Sequence, residues 1–167
     1  MPWTTPKTWI SEVLSSAEMN TYLSDNTQYL YDEITYSPAE YTYTRVGAVN
    51  YTTTSETLVD IDDPNMVATI TTDGGDVRVT FAATAYRTSG TAMNAFFAVL
   101  YDGSIYQPIQ VEVDQLPGVN VSFSYVFNNV SAGSHTFRMR WRRGIGETAT
   151  LGLYGQYAHF SVRELKK

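Results

Sequence analysis

The spacing of apolar positions changes once along this chain. Between residues 15 and 36, Met19, Tyr22, Leu23, Asn26, Tyr29, Leu30 and Ile34 recur at intervals of three and four, whereas Glu18, Thr21, Ser24, Asp25, Gln28 and Asp32 fall mostly elsewhere. That period predicts an amphipathic helix. Ser15-Ser16-Ala17-Glu18 has the S-x-x-E spacing of a capping box, and Ser37-Pro38 marks the end, because proline disfavours helix in the residue before it. A rod of roughly twenty residues, about 30 Å long, is marginal in water by itself. Its apolar stripe must therefore dock on the rest of the chain or on copies of itself. Two heptads with Asn26 at a core-type position suit a short parallel bundle, in which one polar residue fixes register and copy number.

From Tyr41 onward the period shortens to two. Runs rich in β-branched and aromatic residues predict strands near 41–46, 48–53, 57–61, 66–72, 76–87, 93–101, 104–113, 119–127, 134–142, 147–153 and 157–164. Asp73-Gly74-Gly75-Asp76, Asp102-Gly103, Pro117-Gly118, Ala132-Gly133 and Gly144-Ile145-Gly146 punctuate them, and Asp102-Gly103 is the strongest hairpin signal. Val77, Val79, Phe81, Ala83 and Ala85 share one face, as do Phe137, Met139 and Trp141, so each strand has one dry side. No helix-length pattern separates the strands, which excludes βαβ units. The expected fold class is all-β: an antiparallel, jelly-roll-like β-sandwich over 37–167, preceded by one N-terminal α-helix within a segment over 1–36.

Composition narrows the chemistry. Hydrophobic residues at 43% and charged ones at 17% describe a globular chain with a real core. A net charge of −6 repels phosphate backbones, so nucleic acid is not an expected partner. With no cysteine there are no disulfides, thiolate nucleophiles or sulfur-bound metals. The longest apolar run, Ala95 to Tyr101, is far short of the ~20 residues of a membrane span, so no membrane partner is expected. The sequons at Asn50, Asn120 and Asn129 read as chance in a chain rich in Ser and Thr.

Four groups of side chains invite a functional reading. Arg138, Arg140, Arg142 and Arg143 form a basic ladder, expected to pair with neighbouring acids such as Glu147 rather than to clamp phosphate. Asp60, Asp62 and Asp63 offer oxygen ligands, but Pro64 and the missing glycine break an EF-hand spacing, so an ordinary acidic turn is expected. His135 and His159, the only histidines, lie on alternating strands without a nucleophile motif. The tyrosines Tyr36, Tyr41, Tyr43, Tyr51, Tyr101, Tyr106, Tyr154 and Tyr157 suit cross-strand packing or, alternatively, a sugar or protein surface. No catalytic residue, cofactor or metal is expected.

The beginning of the chain carries a resemblance. Pro2, Trp3, Pro6 and Trp9 make an extended leader; Thr8-Trp9, then Leu14-Ser15-Ser16-Ala17-Glu18-Met19-Asn20, Asp25-Asn26 and Tyr29-Leu30 follow in order. The run resembles N-termini of tailed-phage virion proteins, with the usual glycine after the tryptophan replaced by Ile10-Ser11-Glu12-Val13. Asn129 to Phe137 with its G-x-H-x-F turn, Arg138-Met139-Arg140-Trp141, and Phe160 to Leu165 are similar to the last strands of trimeric jelly-roll heads of the tumour-necrosis-factor and C1q type. The first resemblance implies a virion and the second a fold; with the marginal helix and no recognisable nucleophile motif, the expectation is a virion structural protein, either a head decoration or spike or a tail fibre or knob, with no enzymatic activity. It would be trimeric, bound to other virion proteins through Trp3, Trp9, Met19, Tyr22, Leu23, Asn26, Tyr29 and Leu30. The alternative is a carbohydrate-binding module that recognises a host surface glycan.

Overall fold

The computed structural model describes residues 15–35, 37–45, 50–88, 92–113, 118–147 and 149–165, with 33–35, 107, 108 and 155–157 described in backbone only. The chain divides into two compact units, Met1–Ser37 and Pro38–Lys167.

In the first unit the helix α1 spans Ser16–Thr35. Its capping box forms as the spacing requires: the Glu18 amide donates to Ser15 Oγ at 3.3 Å, and the Ser15 amide donates to Glu18 Oε2 at 3.1 Å. Two amide donors that the first turn leaves unpaired are thereby satisfied, which fixes where the helix begins.

The described residues of the second unit form ten strands: β1 (Glu40–Thr44), β2 (Tyr51–Thr53), β3 (Val59–Asp60), β4 (Val67–Thr72), β5 (Gly75–Arg87), β6 (Met93–Tyr101), β7 (Ser104–Val113), β8 (Val119–Val130), β9 (Gly133–Arg143) and β10 (Leu151–Leu165). One sheet runs β1-β10-β5-β8, with β2 beside β1 on the same edge of β10; the other runs β3-β9-β6-β7, with β4 also on β9. All pairings are antiparallel. Apart from the β6–β7 hairpin and the short strands at the start, successive strands alternate between the sheets, which is jelly-roll wiring.

Alternation decides the core. Val77, Val79, Phe81, Ala83 and Ala85 of β5 face Phe137, Met139 and Trp141 of β9 across the sandwich, all of them buried. Phe81 meets Phe97 at 5.8 Å between ring centroids, and Phe97 meets Trp141 at 6.4 Å, which ties β5 to β6 and β9. Asp102 and Gly103 both take left-handed backbone angles, φ 44° and 86°, as a two-residue turn matched to strand twist needs.

Three boundaries differ from the sequence expectation. The two strands expected at 147–153 and 157–164 are one strand, β10, whose pairing with β5 shifts register between Tyr154 and His159. Because β5 offers an unbroken partner along its length, the Gly155 region bends the strand without ending it. β8 continues beyond 127 to Val130, since Gly75 pairs with Val130 after a bulge. Of the strand expected at 48–53, residues 51–53 pair with β10, and 46–49 lie outside the described residues.

Gly152 shows how closely β10 is packed. A Cβ there would stand 2.3 Å from the Tyr86 ring, which stacks on Tyr154 at 4.4 Å. Gly152→Ala is expected to displace that ring and cost about 1–2 kcal/mol, read as a fall in Tm of about 4 °C by calorimetry. An unchanged Tm would show that Tyr86 yields freely.

Candidate functional site

The helix stripe is the first candidate. Met19, Leu23 and Leu30 are 46%, 62% and 50% exposed, while Tyr22, Asn26 and Tyr29 are half-buried. Trp3 and Trp9 lie outside the described residues, as do Tyr36 and the side chain of Ile34. A helix that shows this much aliphatic surface at three- and four-residue spacing has a face suited to a partner. No described helix is long and apolar enough to cross a membrane.

Arg138, Arg140 and Arg142 lie on the outer face of β9, Arg143 takes the opposite side at the strand's end across from the buried Ala95, and their acids differ from the expected one. Arg138 pairs with Asp60 at 3.1 Å and Asp63 at 3.5 Å, Arg140 with Asp60 at 2.9 Å, and Arg143 with Glu56 at 3.5 Å. Glu147 instead accepts from the Asn94 amide. The reason is topological: β3 pairs with β9 and sets Asp60 directly opposite Arg140. Arg142 stacks on Phe96 at 3.6 Å from the ring centroid. Neutralised in this way, the ladder is a poor phosphate clamp.

The acidic turn is occupied by the protein itself. Asp62 accepts from Tyr51, from Tyr43 at 3.3 Å and from Asn65 Nδ2 at 3.1 Å, and Arg45 stands 3.6 Å away. Arg45 also covers the Tyr51 ring at 4.4 Å. Burial, reinforced by the bond to Asp62, raises the Tyr51 pKa well above that of an ordinary tyrosine, so Tyr51 remains a donor. Tyr41, on the same strand as Tyr43, donates to the Asn65 carbonyl at 2.6 Å. Three of the tyrosines weighed as ligand surface thus tie β1 and β2 to the turn before β4 in the other sheet. Among the described residues no cluster of three or more His, Asp or Glu is arranged to hold a metal.

His135 is buried on β9 beside the β6–β7 turn. Its Nδ1 faces Asp102 Oδ2 at 2.7 Å and its Nε2 faces the Ser131 carbonyl at 2.9 Å. Both contacts are acceptors, so only the doubly protonated ring satisfies both. The bond from Asp102 raises the His135 pKa against the opposing effect of burial, with the Ser131 carbonyl adding to the rise. Burial pushes the Asp102 carboxyl up, but the His135 bond and the Thr136 amide outweigh it and hold the pKa below the usual carboxylate value. His159 contacts Thr44 at 2.9 Å.

A pocket of about 300 Å³ opens where the edge strands β7 and β8 meet, lined by Tyr101, Tyr106, Tyr125, Phe127, Asn128, Asn129 and Val130. Tyr106 and Tyr125 stand edge-on to Phe127 at 5.1 and 4.8 Å, and Tyr101 packs on Phe127 at 4.9 Å. The two asparagines reach it through the β8 bulge: Asp76 alone on β5 opposes both, and its carboxylate accepts from the Asn129 amide at 2.9 Å. Asn129 takes φ 55°, a left-handed angle that asparagine tolerates better than most residues. Sequence reasoning singled out Tyr101 and Tyr106, met Asn129 only as a chance sequon and missed Asn128, the remaining signal being two consecutive asparagines inside a strand.

No family model matches this chain, and no curated protein matches it. Among solved structures, murine APRIL aligns with 77% of this chain and 100% of its own at 10% identity and a TM-score of 0.41. The infectious bursal disease virus Gx strain structure aligns over 77% of this chain and 37% of its own, at 10% identity and TM-score 0.43. The enzymatically active domain of bacteriophage CBA120 tailspike protein 4 covers 72% of this chain and 18% of its own, at 9% identity and TM-score 0.28. With scores this low the likeness adds nothing to the strand order, on which the jelly-roll assignment rests.

Proposed function

We propose that this chain is a non-enzymatic structural component of a tailed-phage virion, a head decoration or tail-associated knob that displays a jelly roll and is held by its N-terminal segment. The observation that carries this reading is the solvent-facing aliphatic stripe of α1, with Met19, Leu23 and Leu30 each about half exposed or more. A capped helix with such a face is poorly stable alone and gains by burying the stripe against copies of itself or a particle protein. A trimer places three stripes around one axis, with Asn26 on the same seam to limit copy number. The phage-like order of Trp9, Asn20, Asp25-Asn26 and Leu30 supports a virion as the setting. The ion-paired arginine ladder and the self-satisfied acidic turn support display over catalysis.

Light scattering coupled to size-exclusion chromatography is expected to give three times the 18.7 kDa chain mass at micromolar concentration. Leu23→Glu combined with Leu30→Glu, both at exposed positions, is expected to give the monomer mass with the β-sheet circular dichroism unchanged. A monomeric parent chain would overturn the trimer. Immunogold labelling of intact particles tests the location, and unlabelled virions would overturn it.

A further inference from the structure

We infer that the pocket between β7 and β8 binds one neutral pyranose ring of a glycan. The inference adds a ligand to the display reading and does not depend on the copy number or the particle.

Tyr101, Tyr106, Tyr125 and Phe127 supply ring surfaces against which the C–H face of a sugar packs, and pairs among them lie at 4.8 to 5.9 Å. Tyr101 has its hydroxyl 3.3 Å from His135 Nδ1. The hydroxyls of Tyr106 and Tyr125 and the side-chain amides of Asn128 and Asn129 have no hydrogen-bond partner among the described residues. Four uncommitted polar ends around an aromatic floor match a ligand that presents hydroxyls at its rim and carbon at its face. An apolar partner surface pressed onto the same place would leave those ends dehydrated and unmatched.

The backbone is arranged for this placement. A regular β8 would send alternate residues to opposite faces, but the bulge opposite Asp76 brings two consecutive asparagines to the rim, with Asn129 in a left-handed conformation. Bulges re-aim side chains in this way beside binding sites, and the Asp76 carboxylate fixes this one by accepting from the Asn129 amide.

Charge selects the ligand class. Among the described residues no lysine or arginine lines the pocket, Asp76 stands behind its rim, and the chain carries a net charge of −6. A carboxylated or phosphorylated sugar meets repulsion here without a counter-charge, whereas a neutral one does not. The volume, near the lower end of the ~300–1,000 Å³ of small-molecule pockets, suits a single ring with the rest of the glycan in solvent.

Saturation-transfer NMR on the full chain tests this, using the methyl glycosides of glucose, galactose, mannose and N-acetylglucosamine, with the methyl glycoside of N-acetylneuraminic acid as the charged comparison. At least one neutral glycoside is expected to receive saturation at its ring protons, and the acidic one is not. Asn128→Ala, at an exposed position, and Tyr106→Phe, which keeps the ring, are each expected to weaken binding about five- to tenfold. Thr42→Ala on β1 is expected to leave it unchanged. Silence from all four neutral glycosides at about 10 mM, binding of the acidic one alone, or affinity unmoved by both pocket variants would overturn the inference. A fall in oligomer mass with Tyr106→Phe would also overturn it by making the pocket a contact between copies. None of these outcomes bears on the mass expected of the parent chain.

Discussion

Asp62→Ala is expected to lower the unfolding free energy by about 3 kcal/mol, the largest single effect among the substitutions considered. The Asp62 side chain is 12% exposed, and its carboxylate receives two tyrosine hydroxyls and Asn65 Nδ2 beside the Arg45 guanidinium. Alanine takes away the acceptor and strands two tyrosine hydroxyls and a cation in a half-buried site, while the exposed Asn65 side chain turns to solvent, so the desolvation of three groups is left uncompensated. The effect is concentrated because β1 and β2 belong to one sheet and the Asp62 turn leads into β4 of the other; the tie closes that edge of the sandwich. Asp62→Asn keeps an acceptor and is expected to cost about half as much. Urea titration should show a lower midpoint at unchanged slope. A shift below about 0.5 kcal/mol would mean that core packing alone closes the edge.

This tie also shows which features the sequence made legible. Face and turn were readable because each is local: alternation placed Val77 to Ala85 and Phe137 to Trp141 inward, Ser15 with Glu18 set the helix start, and Asp102-Gly103 set the hairpin. What depended on the strand across the sheet was not readable. Asp62 looked like one carboxylate in an acidic turn, because nothing local reveals that Tyr43 and Tyr51, 19 and 11 residues earlier, converge on it. Glu147 looked like the partner of the arginine ladder by sequence distance, but β3 lies beside β9 and supplies Asp60. The same holds for β10, whose continuity is set by its long neighbour β5 and not by its own Gly155. In the pocket the rings were visible as residue types, but a bulge is a mismatch between two strands and has no signature in one of them. The two edges of the sandwich thus differ: tyrosines are spent on Asp62 at one, and at the other the hydroxyls of Tyr106 and Tyr125 have no partner among the described residues.

Asp102→Asn is expected to cost about 2 kcal/mol near pH 6 and much less at pH 9, because it removes the charge while keeping the turn. Asparagine suits the left-handed angle at this position, and its carbonyl oxygen still accepts from the Thr136 amide, which Asp102 Oδ1 does at 2.8 Å. What is lost is the ionic bond to His135. The His135 pKa is raised in the folded chain, so its stabilising contribution is complete below the ordinary histidine value and disappears as pH rises through the raised one. The Asp102 pKa is lowered, so its contribution is complete above the ordinary carboxylate value and disappears as pH falls through the lowered one. The pair therefore stabilises most between about pH 4 and 6.5, where both partners are charged in the folded chain. Above that window the ring sheds a proton, and one of its nitrogens turns a lone pair toward Asp102 or the Ser131 carbonyl, both acceptors. Urea unfolding of parent and variant from pH 5 to 9 checks this: the two curves should converge as pH rises. A separation that stays constant over that range would show that His135 is held as a neutral ring and that its two contacts are steric.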